Sequence, residues 1–162
     1  MAADEDDPGD PLYWEKFLAE VSAAFEPAPE TPPSLEVFRA LYASVIKYYG
    51  HACAMTGEQF APSGSLLRDD VEIVPIRQRA DGGSLHVSNF LCLSPAAANA
   101  FQRGHVAVGP GLELLVDLSR VDPELLEKLN PQGRLLVPEN PLARPDPLAL
   151  GFHRQHVFLS GA

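Results

Sequence analysis

A proline-rich run near the start of the chain sets the first limit on its architecture. Residues 27–33 read Pro-Ala-Pro-Glu-Thr-Pro-Pro, and proline removes the backbone donor that helices and sheets need. The run therefore predicts a stiff linker, which divides the chain into residues 1–33 and residues 34–162. Residues 1–30 carry nine acidic side chains and one basic side chain, and so hold −8 of the total net charge of −10. The sequence thus predicts an acidic arm joined to a nearly neutral domain.

Within the arm, residues 11–26 have the pattern of an amphipathic helix. Asp10 is a suitable N-cap, and Pro11 suits the first helical turn. The apolar side chains that recur at nearly helical spacing are Leu12, Trp14, Phe17, Leu18, Val21 and Phe25. Such a stripe needs a surface to cover it. Either its own domain covers it, or it mediates self-association or contact with an unknown protein partner.

Residues 34–162 predict a single domain of short helices and strands, which is an α+β arrangement. Ser34, Ser94 and Asp122 are the expected N-caps of three of the helices. The predicted elements are helices over 34–50, 95–103, from 122 onward and over 147–159, strands over 71–76, 90–93 and 134–137, and a β-hairpin over 105–117.

Composition excludes several classes of protein. Cys53 and Cys92 lie 39 positions apart and form neither a disulfide framework nor a CxxC pair. No apolar run approaches the ~20 residues of a membrane span, and the first residues lack the pattern of a signal peptide. We therefore expect a reduced, cytoplasmic protein with no membrane contact. DNA is a possible partner that the acidic balance disfavours, because DNA affinity depends largely on Lys and Arg neutralising phosphates.

A series of ordered motifs between Tyr49 and Phe158 resembles the HNH endonuclease family. The matching segments are Tyr49-Gly50-His51-Ala52-Cys53-Ala54-Met55-Thr56-Gly57, Glu72-Ile73-Val74-Pro75-Ile76, Val87-Ser88-Asn89-Phe90-Leu91-Cys92-Leu93, Phe101-Gln102-Arg103-Gly104, Leu136-Val137-Pro138-Glu139-Asn140, Arg144-Pro145-Asp146-Pro147 and the stretch from His153 to Phe158. Their order and spacing, more than any single segment, carry the resemblance. It implies an HNH-like ββα core with an additional β-hairpin and flanking helices, preceded here by the N-terminal helical arm.

The resemblance also implies a catalytic chemistry, and this chain departs from it. In the family, a strand histidine is the general base, an asparagine orients it, and a helix histidine with a nearby aspartate binds a divalent metal such as Mg²⁺. Aligned by motif, the base falls on Pro75 and the two helix positions fall on Ala96 and Ala98. A further aspartate falls on Gln102, and only the asparagine remains, as Asn89. We therefore expect no catalytic residues, no metal site and no cofactor.

Other polar side chains near these vestigial positions form a possible residual site. Its members are Glu72, His86 and Asn89, of which His86 is expected to be exposed to solvent after the Gly82-Gly83 turn. A divalent metal held by a rebuilt site is the alternative to an absent cofactor.

Two further groups of residues have a structural interpretation and a functional one. Arg77, Arg79 and Arg103 form either a solvated face or a small basic patch for nucleic acid. His153 and His156 lie on one side of the last predicted helix, where packing or capping is favoured over metal binding.

Three hypotheses follow from the sequence. The leading one is a catalytically inactive HNH-nuclease-like protein that serves as an interaction or regulatory module. The second is a metal-dependent HNH endonuclease that acts on DNA with an altered active site. The third is a non-cleaving, DNA-binding regulator.

Overall fold

The computed structural model describes residues 34–61 and 69–159. The predicted arm helix over 11–26 and the linker over 27–33 lie outside these residues. The helices are α1 (Leu35–Tyr48), α2 (Pro95–Gln102), α3 (Pro123–Lys128) and α4 (Pro147–His153), and the strands are β1 (Glu72–Pro75), β2 (Phe90–Leu93), β3 (Val106–Val108) and β4 (Leu114–Val116). Short 3-10 helices lie at Arg79–Asp81, Val87–Asn89 and Pro141–Ala143, and a π-helical turn at Arg154–Phe158 continues α4. The prediction of an α+β fold is confirmed.

The helices begin where the sequence places their caps. The Ser34 hydroxyl accepts a hydrogen bond from the Val37 amide at 3.2 Å, and the Ser94 hydroxyl accepts one from the Ala97 amide at 3.4 Å. Asp122 caps α3 in the same way through the amide of Glu124. Each cap satisfies a backbone donor that the first helical turn leaves without a partner. These helix starts are therefore encoded locally.

The first sheet is an antiparallel pair of four-residue strands. Glu72 of β1 lies opposite Leu93 of β2, and Pro75 lies opposite Phe90. Helix α2 follows β2 after a single residue and packs against both strands, and α1 packs against the same pair. Because β2 is buried along its whole length, this hairpin lies at the centre of the hydrophobic core.

The second sheet is the predicted hairpin of β3 and β4, in which Val106 lies opposite Val116. The strand predicted over 134–137 is wrong: only a single bridge forms there, between Glu113 and Arg134. The amide of Leu135 donates to Leu112, whereas the amide of Leu136 donates to Ala54. Because successive residues bond to two distant segments, no continuous ladder forms.

The core also holds both cysteines. Cys53 and Cys92 are each 0% exposed and neither forms a disulfide with a described residue, as expected of small buried apolar side chains. The Ser94 amide donates to the Cys53 sulfur at 3.3 Å. Within residues 34–61 and 69–159, no helix has the length and apolar character to cross a membrane.

Candidate functional site

The structure brings two of the matched motif positions, Pro75 and Asn89, together at one end of the first hairpin. Pro75 is the last residue of β1, and Asn89 directly precedes its cross-strand partner Phe90. The Ile76 amide donates to the Asn89 carbonyl at 2.7 Å, which extends the pairing by one residue. Ala98 lies on α2 and is 0% exposed, so its position is packed on all sides.

Asn89 serves as a brace for the loop that joins β1 to β2. Its Oδ1 accepts from the Arg77 amide at 3.0 Å, while its Nδ2 donates to the carbonyls of Arg77 at 3.0 Å and Ser84 at 2.9 Å. The side chain is 4% exposed, and buried amides need such partners. All three bonds go to backbone atoms. The hydrogen bonds of the Asn89 side chain thus hold the loop in place. Because residue 75 is a proline, there is no histidine at that position for Asn89 to orient.

The space between the vestigial strand and helix positions is nearly closed. The cavity beside Pro75 and Gln102 measures about 50 Å³, and Phe152, His153 and Val157 of the C-terminal segment form its other side. Cavities that hold small ligands measure ~300–1,000 Å³. The C-terminal segment thus borders the space between Pro75 and Gln102, two of the positions matched to the family motif.

His153 anchors that segment to α2. Its ring stacks on the ring of Phe101, with centroids 3.6 Å apart and planes 4° from parallel, and its Nε2 lies 2.7 Å from the Phe101 carbonyl oxygen. Burial lowers the pKa of His153 to about 4, which outweighs the opposing effect of the Phe101 carbonyl. The ring is therefore neutral near pH 7, with Nε2–H as donor, and its buried Nδ1 has no hydrogen-bond partner among the described residues. Packing, as predicted, is its role.

Arg77 is also used within the fold. Its guanidinium lies over the ring of Phe152, 4.2 Å from the centroid, in a cation–π contact. Its Nε donates to the carbonyl of Asp81 at 2.7 Å. Of the other two arginines that form either a solvated face or a basic patch, Arg103 is exposed and Arg79 is half-buried. A guanidinium bound in this way is less available to phosphate than a free one.

The other two members of the possible residual site do not join into one centre. Glu72 is exposed at the far end of β1, roughly 10 Å along the strand from Pro75 at ~3.3 Å per residue. The prediction that His86 is simply exposed is wrong, because it is half-buried and caps the 3-10 helix before β2. Its Nδ1 accepts from the Ser88 amide at 3.1 Å and lies 2.7 Å from the Ser88 hydroxyl.

The described residues do not fit a divalent metal. Among residues 34–61 and 69–159, no three His, Cys, Asp or Glu side chains are grouped closely enough to hold one. Mg²⁺ is bound through carboxylates at near-ideal octahedral geometry, and the vestigial positions offer proline and alanine. No chemical step through a metal follows from these side chains.

Sequence reasoning missed a larger cavity, of about 540 Å³, between the end of α1 and residues 136–140. Its polar side chains include Ser44, Lys47 and Glu139, and the buried Ser44 hydroxyl has no hydrogen-bond partner within the part of the chain that the structure describes. Lys47 and Glu139 carry opposite charges, so the lining selects neither an anion nor a cation. The only indication of this cavity in the sequence is that lining residues on both of its sides, within 49–54 and 136–140, belong to the motif segments that resemble the HNH family.

Comparison with known proteins finds similarity at the level of the fold. No protein-family model matches this chain, and no curated protein matches it. The fold is similar to a solved structure titled "Modification dependent TagI restriction endonuclease", with a TM-score of 0.54 and 22% sequence identity. The match covers 79% of this chain but 40% of that one. At this identity the likeness concerns the fold: the chain has a nuclease-like α+β fold and spans less than half the length of that endonuclease.

Proposed function

We propose that this chain is a non-cutting relative of the HNH endonucleases that acts as an interaction or regulatory module. The observation that carries the proposal is the identity and packing of the vestigial positions. Pro75 has no group that accepts a proton, and Ala98 has none that binds a metal. In this assignment β1, β2 and α2 correspond to the ββα core of the family.

The chemistry of hydrolysis makes these losses decisive. A positioned general base contributes typically 10²–10⁴-fold to the rate, and a metal adds the charge stabilisation that the leaving oxygen needs. Glu72 lies at the opposite end of β1, and the His86 ring is bonded to Ser88. Asp81 is exposed and lines the cavity beside Pro75, but it belongs to no group of three possible metal ligands among the described residues. A nuclease that lacked both the general base and the metal would be slower by many orders of magnitude.

The packing around the site supports the same proposal. The cavity that Pro75 shares with Gln102 measures only about 50 Å³, and Phe152 and His153 line its other side. Ala98 is buried at 0% exposure, whereas a metal ligand must present its side chain to an open position. The position that corresponds to the helix histidine is thus closed to a metal ion.

The proposed partner is a protein or a second copy of the chain, contacted through residues 11–26. The arm's negative charge disfavours DNA, and Arg77 is bound within the fold. A cytoplasmic location is part of this proposal.

The decisive experiment is a plasmid-nicking assay with Mg²⁺ or Mn²⁺ and the full chain. We expect no nicking above the level of a protein-free control. Metal-dependent nicking that Glu72→Ala or His86→Ala abolishes would overturn the proposal in favour of an endonuclease with an altered site. Binding to duplex DNA that weakens steeply as salt rises would instead favour the DNA-binding regulator.

A further inference from the structure

An apolar groove of about 200 Å³ runs beside the first half of α1, and we call it the α1 groove. Its walls are Val37, Phe38 and Leu41 on α1, Ile73 and Pro75 on β1, and Phe90 on β2. Phe38 is 41% exposed, and the neighbouring Leu35 is 59% exposed. The groove is smaller than a typical ligand pocket of ~300–1,000 Å³. It therefore suits a few apolar side chains better than a whole small molecule.

The arm joins the domain at one end of this groove. Ser34 is the N-cap of α1, and Val37, Phe38 and Leu41, which line the groove, follow within the first two turns. Leu35 and Leu41 are separated by roughly 9 Å along the helix at ~1.5 Å per residue. The proline-rich linker over 27–33 spans up to about 22 Å at ~3.1 Å per residue. Residues 11–26 therefore have enough reach to turn back over the groove of their own chain.

Charge favours the same contact. Arg77 and Arg79 lie among the residues that line the groove. Residues 11–26 carry three acidic side chains and one basic one, Lys16, for a net charge of −2, and the whole arm has a net charge of −8. Opposite charges attract over distances of about 8 Å at physiological ionic strength. Two arms brought together in a dimer would instead repel each other.

We propose that, in the absence of a partner, residues 11–26 lie on the α1 groove of the same chain. The stripe that includes Trp14 and Leu18 covers the apolar walls, and the acidic side chains face the side of the groove that carries Arg79. A short tether gives an effective concentration in the millimolar range, so at micromolar protein the intramolecular contact dominates. The arm would then cover the Pro75 end of the hairpin, and a partner would have to displace it.

Trp14 makes this proposal directly measurable, because it is the sole tryptophan in the chain. In the full protein, we expect the Trp14 emission to be blue-shifted relative to the denatured chain and resistant to quenching by acrylamide. Both signals should be independent of protein concentration while sedimentation velocity reports a monomer.

Paired variants test the location of the contact. Phe38→Glu places a charge on the groove wall, so we expect the emission to shift to the red and the quenching to rise. Leu148→Glu is the matched control, since Leu148 is a helix residue that is 81% exposed and does not line the groove. Leu18→Glu on the arm should give the same change as Phe38→Glu without altering the domain. Arg79→Glu should give a smaller change in the same direction, as should added salt.

Three results would overturn the proposal. The first is a Trp14 emission in the wild-type chain that matches the denatured one. The second is a blue shift that appears only as a dimer forms, which would assign the groove to a second copy. The third is a blue shift that Phe38→Glu and Leu18→Glu leave unchanged, which would place the contact elsewhere. None of these fluorescence and sedimentation measurements depends on nicking activity. The proposal that the arm lies on the α1 groove can therefore fail while the proposal of a non-cutting relative stands, and the reverse also holds.

Discussion

His153 lies flat on Phe101 and also hydrogen-bonds to the carbonyl oxygen of that same residue. The two contacts join the C-terminal segment to α2 across 52 positions of sequence. The segment in turn lines the small cavity between Pro75 and Gln102. A histidine therefore sits beside the vestigial site, but its ring is committed to packing and is neutral near pH 7.

This arrangement makes the stability of the fold depend on pH. The pKa of His153 is lowered from 6.5 to about 4 in the folded chain. Between these values the unfolded chain binds a proton that the folded chain excludes, so the free energy of unfolding falls as pH falls from 6.5 toward 4. The full effect is on the order of 3 kcal/mol, from about 1.4 kcal/mol per pKa unit. Urea unfolding at several pH values measures it.

The matched variants are His153→Gln and His156→Gln. Glutamine at 153 keeps a donor for the Phe101 carbonyl but does not titrate, so we expect the pH dependence in this window to flatten. His156 is exposed, so its replacement should leave the slope unchanged. An unaltered slope in His153→Gln would show that another group carries the effect.

A second prediction concerns the brace at the head of the hairpin. Asn89→Ala removes three side-chain hydrogen bonds and leaves two atoms of the Arg77 backbone and the Ser84 carbonyl without those partners. At about 0.5–1.5 kcal/mol for each bond, we expect a loss of roughly 2–4 kcal/mol in the free energy of unfolding. Chemical denaturation measures it.

Asn99→Ala is the control for this variant, because Asn99 is an exposed asparagine on α2. We expect it to change stability by no more than about 0.5 kcal/mol. If Asn89→Ala and Asn99→Ala lowered the free energy of unfolding equally, the three hydrogen bonds of the Asn89 side chain would contribute nothing specific to stability.

Features of the fold that depend on neighbouring residues in the sequence were predictable. The starts of the helices at Ser34, Ser94 and Asp122 were predictable because each cap bonds to an amide two or three residues away. Strands β1 and β2 were predictable because their apolar runs are bounded by turn residues.

The features that were missed depend on distant residues. Residues 134–137 resemble a strand in composition, but their amides bond to Leu112 and Ala54. The stacking of His153 on Phe101 and the small cavity beside Pro75 likewise depend on how the C-terminal segment returns to α2. That proline and alanine stand at the matched motif positions could be read from the sequence, whereas the packing of the C-terminal segment beside Pro75 required the structure.

A third prediction separates two glycines that both have positive φ angles. Gly104 follows α2 with φ of +75°, and a Cβ there would lie 2.3 Å from the Val157 carbonyl oxygen. Gly104→Ala must therefore push the C-terminal segment away. Gly50 has φ of +65°, but no atom of the described residues lies within 4 Å of the position that a Cβ would take there.

Gly50→Ala should therefore cost only the left-handed backbone penalty of about 1–2 kcal/mol. We expect Gly104→Ala to cost at least about 2 kcal/mol more, from the added steric overlap. Thermal unfolding of the two variants makes the comparison, and equal melting temperatures would contradict the close approach of Val157 to Gly104.

The last prediction concerns a histidine placed at position 98, where the HNH motif has a metal ligand. Ala98 is 0% exposed in the core, so a histidine there must displace its neighbours, at a cost of typically ~1–3 kcal/mol. We expect Ala98→His to lower the melting temperature and to gain no stabilisation from Mg²⁺, Mn²⁺ or Zn²⁺. Asn99→His is the control, because Asn99 is exposed on the same helix, matches no motif position of the family and should tolerate the change. Metal-dependent stabilisation of Ala98→His, whether alone or combined with Pro75→His, would show that position 98 can present a metal ligand despite its burial.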